Sequence, residues 1–165
     1  MKHDEPHERL TWEEFGAGAR DLARLVVDDG FVPTVLLAIA RGGLPVGGAV
    51  SYALGLKNCC AINVEYYTGI DERLEMPVIL PPALDFVDLG DEYVIVVDDV
   101  ADTGETLKLV ADTIRPYVAD LRTAVLYEKS RSVVRADYVW RRTDRWIDFP
   151  WSTLAPIEGS ASSAP

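Results

Sequence analysis

The sequence predicts an α/β domain with a mainly parallel sheet flanked by helices. Short apolar or β-branched runs at 34–39, 93–97 and 123–127 have the composition of buried strands. Segments with helical spacing of apolar residues separate these runs along the chain. Because strands that alternate with helices form parallel sheets, we expect ligands to bind at the carboxyl ends of the strands.

The first predicted element is a helix that begins at a capping box. Thr11 supplies the hydroxyl group and Glu14, three residues later, supplies the carboxylate. Apolar residues then follow at helical spacing, namely Phe15, Ala19, Leu22, Ala23 and Val26. Gly30 is expected to end this helix before the first long strand.

A second helix is predicted directly after the strand over 34–39. Residues 41–43 contain an arginine and two glycines and form the turn between the two elements. The helix runs to about Leu54, where Gly55 is expected to end it.

The next part of the chain is less regular. Residues 59–66 are predicted to form a strand, in which Cys59 and Cys60 are expected to be small buried residues. The sequence has no CxxC pair or second cysteine cluster, so a zinc site is not expected. Residues 68–91 contain prolines and many charges without a clean period, which indicates either a functional loop or an irregular hairpin.

The last part of the chain returns to alternating strands and helices. Its predicted elements are a strand over 93–97, a helix from 103 to about 115, and strands over 123–127 and 137–140. Pro116 sets the helix end, because the residue before a proline disfavours helical geometry. Residues 1–157 are expected to form a single domain, and residues 158–165, which are Glu, Gly, Ser, Ala and Pro, a disordered tail.

Composition excludes several classes of function. The 165-residue chain carries a formal net charge of −11, and such a surface repels the phosphates of nucleic acids. The longest apolar run, at 35–40, is far shorter than the roughly 20 residues that a membrane span needs. The first seven residues include no apolar signal segment, so a cytoplasmic location is expected.

The segment 93–106 carries the clearest functional pattern. It leads from a strand into paired acids and then into a helix, through Asp98, Asp99, Val100, Ala101, Asp102, Thr103, Gly104, Glu105 and Thr106. A turn before a helix presents free N–H groups and the positive end of the helix dipole to a phosphate. The paired carboxylates repel phosphate, but they accept hydrogen bonds from ribose hydroxyls and can share a Mg²⁺ ion with them. The sequence therefore predicts a ribose 5-phosphate site.

This segment resembles the phosphoribosyl pyrophosphate signature of type I phosphoribosyltransferases, and the resemblance extends over residues 10–151. The signature is a hydrophobic strand, two acids, two variable residues and Asp-Thr-Gly-x-Thr. The resemblance implies that Asp98 and Asp99 hold the ribose hydroxyls with Mg²⁺, and that Asp102 exchanges a proton with N7 of a purine. It also implies a 5′-phosphate site at Ala101, Asp102, Thr103, Gly104, Glu105 and Thr106.

Two further segments resemble loops of the same family. Ala40, Arg41, Gly42 and Gly43 resemble the loop that binds pyrophosphate. Tyr66, Tyr67 and Thr68 lie where the family has a mobile loop, which closes over the reaction centre and excludes water. The resemblance also implies a small hood of N- and C-terminal segments that covers the base.

Four residues near the end of the chain resemble the base-binding elements of microbial 6-oxopurine phosphoribosyltransferases: Lys129, Trp146, Ile147 and Asp148. A lysine only donates hydrogen bonds, so Lys129 can bond the O6 acceptor of guanine, hypoxanthine or xanthine and would reject the N6 amino group of adenine. Trp146 offers a face for stacking, and peptide groups near Ile147 and Asp148 can read the 2-position. Trp151 is expected to be a packing residue.

The resemblance implies Mg²⁺-dependent transfer of phosphoribose from phosphoribosyl pyrophosphate to a 6-oxopurine in purine salvage. It implies small-molecule substrates and a homodimer or homotetramer, without nucleic acid or membrane partners. One alternative is a regulator that binds phosphoribosyl pyrophosphate with little catalysis. The other is a transferase for adenine or orotate.

Overall fold

The computed structural model describes residues 6–68, 75–80 and 89–158, with the backbone alone at 66–68 and 75–80. In chain order the elements are β1 (Glu8–Arg9), α1 (Trp12–Asp28), β2 (Val35–Ala40), α2 (Gly43–Leu54), β3 (Cys59–Thr68), β4 (Glu75–Leu80), β5 (Tyr93–Ala101), α3 (Glu105–Ile114), β6 (Asp120–Glu128), β7 (Tyr138–Arg142) and β8 (Ile147–Asp148). A short 3₁₀ helix, Arg115–Tyr117, follows α3. The predicted tail lies, apart from residue 158, outside the described residues.

The main sheet has six strands in the order β4-β3-β2-β5-β6-β7. The pairs β3–β2, β2–β5, β5–β6 and β6–β7 are parallel, and β4 alone runs antiparallel to its neighbour β3. This arrangement confirms the predicted fold class. It also places the carboxyl ends of β2, β5 and β6 at the same edge of the sheet.

Helices cover both faces of the sheet, because alternate strand residues point to opposite sides. One core packs α1 and α2 against alternate residues of the central strands, namely Leu36, Ala38, Ile95 and Val97. The other packs α3 against their sequence neighbours, namely Val35, Leu37, Val94 and Val96. Each of these strand residues is at most 2% exposed, which explains the continuous apolar runs in the sequence.

The capping residues behave as the sequence predicts. The Thr11 hydroxyl accepts from the Glu14 backbone N–H at 3.2 Å, and the Glu14 carboxylate accepts from the Thr11 backbone N–H at 3.0 Å. Gly55 ends α2 in the left-handed conformation. The start of α1 and the end of α2 therefore coincide with local signals that the sequence contains.

Two predictions about strand residues need correction. The strand predicted over 93–97 continues to Ala101, because Asp98, Val100 and Ala101 keep their pairing with β6. Cys59 is exposed and Cys60 is only partly buried, so the expected burial was wrong. The cause is their place at the start of β3, since pairing with β4 begins only at Asn63.

The irregular segment after β3 contains a strand. Residues 75–80 pair antiparallel with 63–68, so the described part of this segment is a β-hairpin. Tyr66, Tyr67 and Thr68, which the sequence places in a mobile loop, belong to the backbone of β3. The remainder of the predicted loop, at 69–74 and 81–88, lies outside the described residues.

The N- and C-terminal segments form a separate two-stranded sheet. β1 and β8 pair in parallel, and the backbone N–H groups of Glu8 and Leu10 donate to the carbonyl oxygens of Trp146 and Asp148 at 2.7 and 3.1 Å. This small sheet corresponds to the predicted hood. In the described residues, no helix is both long and apolar enough to cross a membrane.

Candidate active site

Two clefts meet at the carboxyl end of β5. The smaller has a volume of about 370 Å³ and is lined by Asp98, Val100, Ala101, Asp102, Thr103, Gly104, Glu105, Thr106 and Leu107. The larger has a volume of about 490 Å³ and is lined by His7, Val100, Asp102, Lys129, Trp146, Ile147, Asp148, Phe149, Ser152 and Thr153. Val100 and Asp102 line both clefts, so Asp102 lies at their junction.

The smaller cleft is the turn between β5 and the N-terminus of α3. Gly104 precedes the helix with φ of 77°, a left-handed conformation that favours glycine. An added Cβ at Gly104 would lie 2.2 Å from the Ser132 hydroxyl oxygen, so the turn also has no space for a side chain. The turn thus places the N-terminus of α3 in the wall of the cleft, and a helix N-terminus is an arrangement that binds anions.

The segment after β6 packs on this turn and fixes its position. The backbone N–H of Lys129 donates to the Ala101 carbonyl at 3.0 Å, and the N–H of Val133 donates to the Thr103 carbonyl at 2.7 Å. The bonded carbonyls, those of Ala101 and Thr103, flank Asp102. The segment 129–133 therefore holds the residues on either side of Asp102 and links the walls of the two clefts.

Asp102 is held by two cations. Its Oδ1 atom accepts from Nε of Arg131 at 2.7 Å and lies 3.5 Å from Nζ of Lys129. Lys129 is only 7% exposed, whereas Arg131 is exposed. The two contacts fix the carboxylate of Asp102 at the boundary between the clefts.

The paired acids near the end of β5 lie side by side, with Asp98 buried and Asp99 half-buried. Burial raises the pKa of Asp98 well above its ordinary value, and the neighbouring charge of Asp99 raises it further. Burial likewise raises the pKa of Asp99, although hydrogen bonds, including one from the Trp151 side chain, oppose that shift. A bound cation would stabilise the ionised forms of these two adjacent carboxylates.

The turn between β2 and α2 lies directly over these acids. A Cβ atom added at Gly42 would lie 2.1 Å from Oδ2 of Asp99, and one added at Gly43 would lie 2.5 Å from the Val97 carbonyl oxygen. The peptide bond between Ala40 and Arg41 is cis, and Arg41 is exposed. The segment 40–43 and the paired acids, 55 or more residues apart in sequence, are thus brought together.

The carboxylates of Asp98 and Asp99 suit a Mg²⁺ ion that is also coordinated by a substrate. They do not suit a metal that is held by protein side chains alone. Among the residues that the structure describes, no group of three or more His, Cys, Asp or Glu side chains is arranged to hold a metal. Mg²⁺ is usually bound by one or two carboxylates, with substrate oxygens and water completing the shell. These two residues would therefore hold the ion only together with a substrate that supplies oxygen atoms.

The larger cleft contains all four residues that the sequence analysis assigned to a base. Nζ of Lys129 lies 5.8 Å from the centre of the Trp146 ring, and Trp146 is 59% exposed. Ile147 and Asp148 line the same cleft from β8. A half-exposed aromatic face beside a buried lysine suits a flat ligand that carries a hydrogen-bond acceptor.

Trp151 packs, as expected, and also contacts the site. Its ring stacks on Phe149 with centroids 5.0 Å apart and meets the edge of Phe15 at 5.1 Å. Trp151 also lowers the pKa of Asp99, which places its side chain beside that carboxylate.

Comparison with known proteins identifies the family. The model of the phosphoribosyl transferase domain matches residues 8–156. The chain belongs to this family. A xanthine-guanine phosphoribosyltransferase of Ruegeria sp. (strain TM1040) is 31% identical over 159 residues, covering 88% of this chain and 87% of the relative. One from Cereibacter sphaeroides is 31% identical over 160 residues and covers 92% of each chain.

Solved structures agree with this assignment. A purine phosphoribosyltransferase from Pyrococcus horikoshii superposes with a TM-score of 0.78 at 34% identity, covering 92% of this chain and 98% of that one. A xanthine-guanine-hypoxanthine phosphoribosyltransferase of Helicobacter pylori shares the fold, with a TM-score of 0.70 at 24% identity over 88% of this chain and 93% of that one. The chain is a purine phosphoribosyltransferase with the type I fold.

Two residues of this phosphoribosyltransferase site were missed by the sequence analysis. Arg131 lies two residues after Lys129. It could have been found by considering each charged side chain just after the strand predicted at 123–127. His7 lines the larger cleft and has its Nδ1 atom 3.0 Å from Oδ2 of Asp148. No local pattern points to His7, because it reaches the cleft only through the pairing of β1 with β8.

Proposed function

We propose that the protein transfers 5-phosphoribose from phosphoribosyl pyrophosphate to N9 of a 6-oxopurine, giving the nucleoside 5′-monophosphate and pyrophosphate. One observation carries the proposal: Asp102 lines both clefts, one built for an anion and the other for a flat ring. A reaction at Asp102 would therefore join a phosphate-bearing molecule in the smaller cleft to a planar molecule in the larger cleft. A nucleoside monophosphate is that product.

The smaller cleft would hold the 5′-phosphate. Residues 101–106 contribute the N-terminal N–H groups of α3 and the hydroxyls of Thr103 and Thr106. An anion at a helix N-terminus is stabilised both by free N–H groups and by the helix dipole. These N–H groups, hydroxyls and the helix dipole would allow a chain with a net charge of −11 to bind a polyphosphate.

Asp98 and Asp99 would hold the ribose. Carboxylates accept hydrogen bonds from vicinal hydroxyls, and these two lie under the turn that contains Gly42 and Gly43. In the proposal that turn, with Arg41, binds the pyrophosphate group next to C1 of the ribose. Mg²⁺, when bound with the substrate, supplies positive charge that stabilises the departing pyrophosphate.

The larger cleft would orient the purine by its O6 and N7 atoms. These atoms are neighbours on one edge of a 6-oxopurine, and Lys129 and Asp102 are neighbours in the cleft, 3.5 Å apart. Lys129 would donate to O6, and Asp102 would accept the proton from N7. As the C1–O bond to pyrophosphate breaks, N9 forms the new bond to C1 and the N7 proton passes to Asp102. Trp146 would stack on the ring.

The choice among bases follows from the donor character of Lys129. Adenine presents an N6 amino donor where a 6-oxopurine presents an acceptor, and two donors that face each other in a buried place disfavour binding. The two relatives that are xanthine-guanine phosphoribosyltransferases support the same class of base. The homodimer or homotetramer and the cytoplasmic location stay predictions.

The test is a product assay with purified protein, Mg²⁺ and phosphoribosyl pyrophosphate. Guanine, hypoxanthine, xanthine, adenine and orotate are supplied separately, and nucleotide and pyrophosphate are quantified. We expect equal amounts of both products with one or more 6-oxopurines and none with adenine or orotate. Nucleotide from adenine or orotate would contradict the base assignment, and no product from any base would favour a regulator that only binds phosphoribosyl pyrophosphate.

A further inference from the structure

The larger cleft contains a pair of side chains that the proposed transfer does not use. Nδ1 of His7 lies 3.0 Å from Oδ2 and 3.2 Å from Oδ1 of Asp148. Both side chains are partly exposed, at 48% and 29%, and both line the cleft. A ligand in the cleft can therefore reach them.

The hood fixes this pair in place. The backbone carbonyls of Trp146 and Asp148 already accept from the N–H groups of Glu8 and Leu10 at 2.7 and 3.1 Å. These bonds hold His7 opposite Asp148 and occupy two of the peptide acceptors next to the cleft. The side chains of His7 and Asp148 are therefore held where a base in the cleft can contact them.

The orientation of the base rests on the proposed function. If Asp102 and Lys129 engage N7 and O6, the substituent at C2 points away from that edge of the purine. No contact links the ion pair of Asp102 and Lys129 to the pair of His7 and Asp148 among the contacts of the described residues. The hood pair is thus a separate part of the wall, available to the C2 substituent.

The ionised carboxylate of Asp148 determines which atom of this pair donates the hydrogen bond. An ionised carboxylate only accepts, so Nδ1 of His7 must carry the proton that lies between the two groups. In the neutral imidazole, Nε2 is then an acceptor, and Asp148 has further acceptor capacity of its own. The pair therefore presents acceptors to the cleft.

We propose that His7 and Asp148 select guanine over xanthine by accepting hydrogen bonds from the 2-amino group. Guanine has two N–H donors at C2, which match two acceptors. Xanthine has an oxygen atom at C2, which the carboxylate of Asp148 and the bare nitrogen of His7 repel. Hypoxanthine has only a hydrogen atom there and serves as the internal reference.

The experiment compares kcat/KM for guanine, xanthine and hypoxanthine at one fixed pH. The variants are His7→Ala, Asp148→Asn and, as a control on the same strand, Arg9→Ala, which removes an exposed side chain that does not line the cleft. We expect the wild-type protein to prefer guanine to xanthine. His7→Ala should lower kcat/KM for guanine about tenfold relative to hypoxanthine, as for one lost hydrogen bond in a partly wet site.

Asp148→Asn replaces an acceptor with a donor, so the ratio of guanine to xanthine should fall about tenfold. Arg9→Ala should leave all three ratios unchanged. A wild-type preference for xanthine, or an equal fall for all three bases in His7→Ala, would overturn the inference and leave the proposed function standing. A protein that uses none of the bases would overturn the proposed function and this inference together.

Discussion

Replacing Gly42 with alanine is expected to disable the site without unfolding the protein. Gly42 has φ of −58° and ψ of −34°, values that alanine adopts freely, so the backbone does not oppose the change. The added Cβ would lie 2.1 Å from Oδ2 and 2.3 Å from Cγ of Asp99. Any effect of the substitution therefore comes from contact with that carboxylate.

The size of the effect follows from the displacement that the contact requires. Oδ2 of Asp99 must move from 2.1 Å to at least 3.4 Å, where ordinary contact begins, or the 40–43 turn must move by the same amount. A shift of about 1 Å in a positioning group costs about a hundredfold in rate. We therefore expect kcat/KM for phosphoribosyl pyrophosphate to fall about a hundredfold, with a loss of about 1–3 kcal/mol in unfolding free energy from overpacking.

The assay is steady-state kinetics with varied phosphoribosyl pyrophosphate, beside urea unfolding of the same samples. Gly48→Ala is the matched control, because Gly48 lies in α2 and an added Cβ would meet nothing within 4 Å. That variant should keep full activity and gain about 0.5–1 kcal/mol in unfolding free energy, because glycine is destabilising inside a helix. If Gly42→Ala keeps more than a third of wild-type kcat/KM, the reasoning is refuted.

A second comparison separates the contact from a general loss of stability. With Asp99→Ala already present, Gly42→Ala should cost little further unfolding free energy, because the atoms it would strike are gone. Equal costs in both backgrounds would show that the turn does not press on Asp99.

Four more substitutions give distinct expected results. Asp102→Asn should keep the fold, checked by circular dichroism, and lose most turnover, since the N7 proton has no acceptor; full activity would remove Asp102 from the reaction. Lys129→Ala should raise KM for 6-oxopurines about tenfold in initial-rate assays, and an unchanged KM would contradict its bond to O6. Gly18→Ala places a Cβ 2.8 Å from the Trp140 ring and should cost about 1–3 kcal/mol in urea unfolding. Gly16→Ala, with open space around the Cβ, should stabilise the same helix, and a loss equal to that of Gly18→Ala would contradict the packing.

The fold was predictable from the sequence because its signals are local. The capping box at Thr11, the left-handed Gly55 and the buried strands all act within a few residues. The end of β5 was harder to predict, since Asp98 does not belong to the apolar run. Its place in the strand depends on pairing with Val125 of β6, which local composition does not report.

Part of the candidate site was likewise predictable from local sequence, and part depends on tertiary contacts. The segment 98–106 is continuous in sequence, and its pattern of acids, threonines and glycine predicted a ribose 5-phosphate site; in the structure residues 98 and 100–106 line one cleft. Arg131, Trp151 and His7 were harder to assign, because each contacts the site through tertiary structure. His7 depends on the pairing of two terminal strands, and Trp151 reaches Asp99 from the end of the chain.

The most direct test of the central claim is a crystal structure of the protein with bound guanosine 5′-monophosphate. We expect the phosphate in the turn of residues 101–106, the ribose beside Asp98 and Asp99, and the purine on Trp146 with N7 facing Asp102. A phosphate bound elsewhere, or a purine whose N7 faces away from Asp102, would contradict the proposed reaction at Asp102.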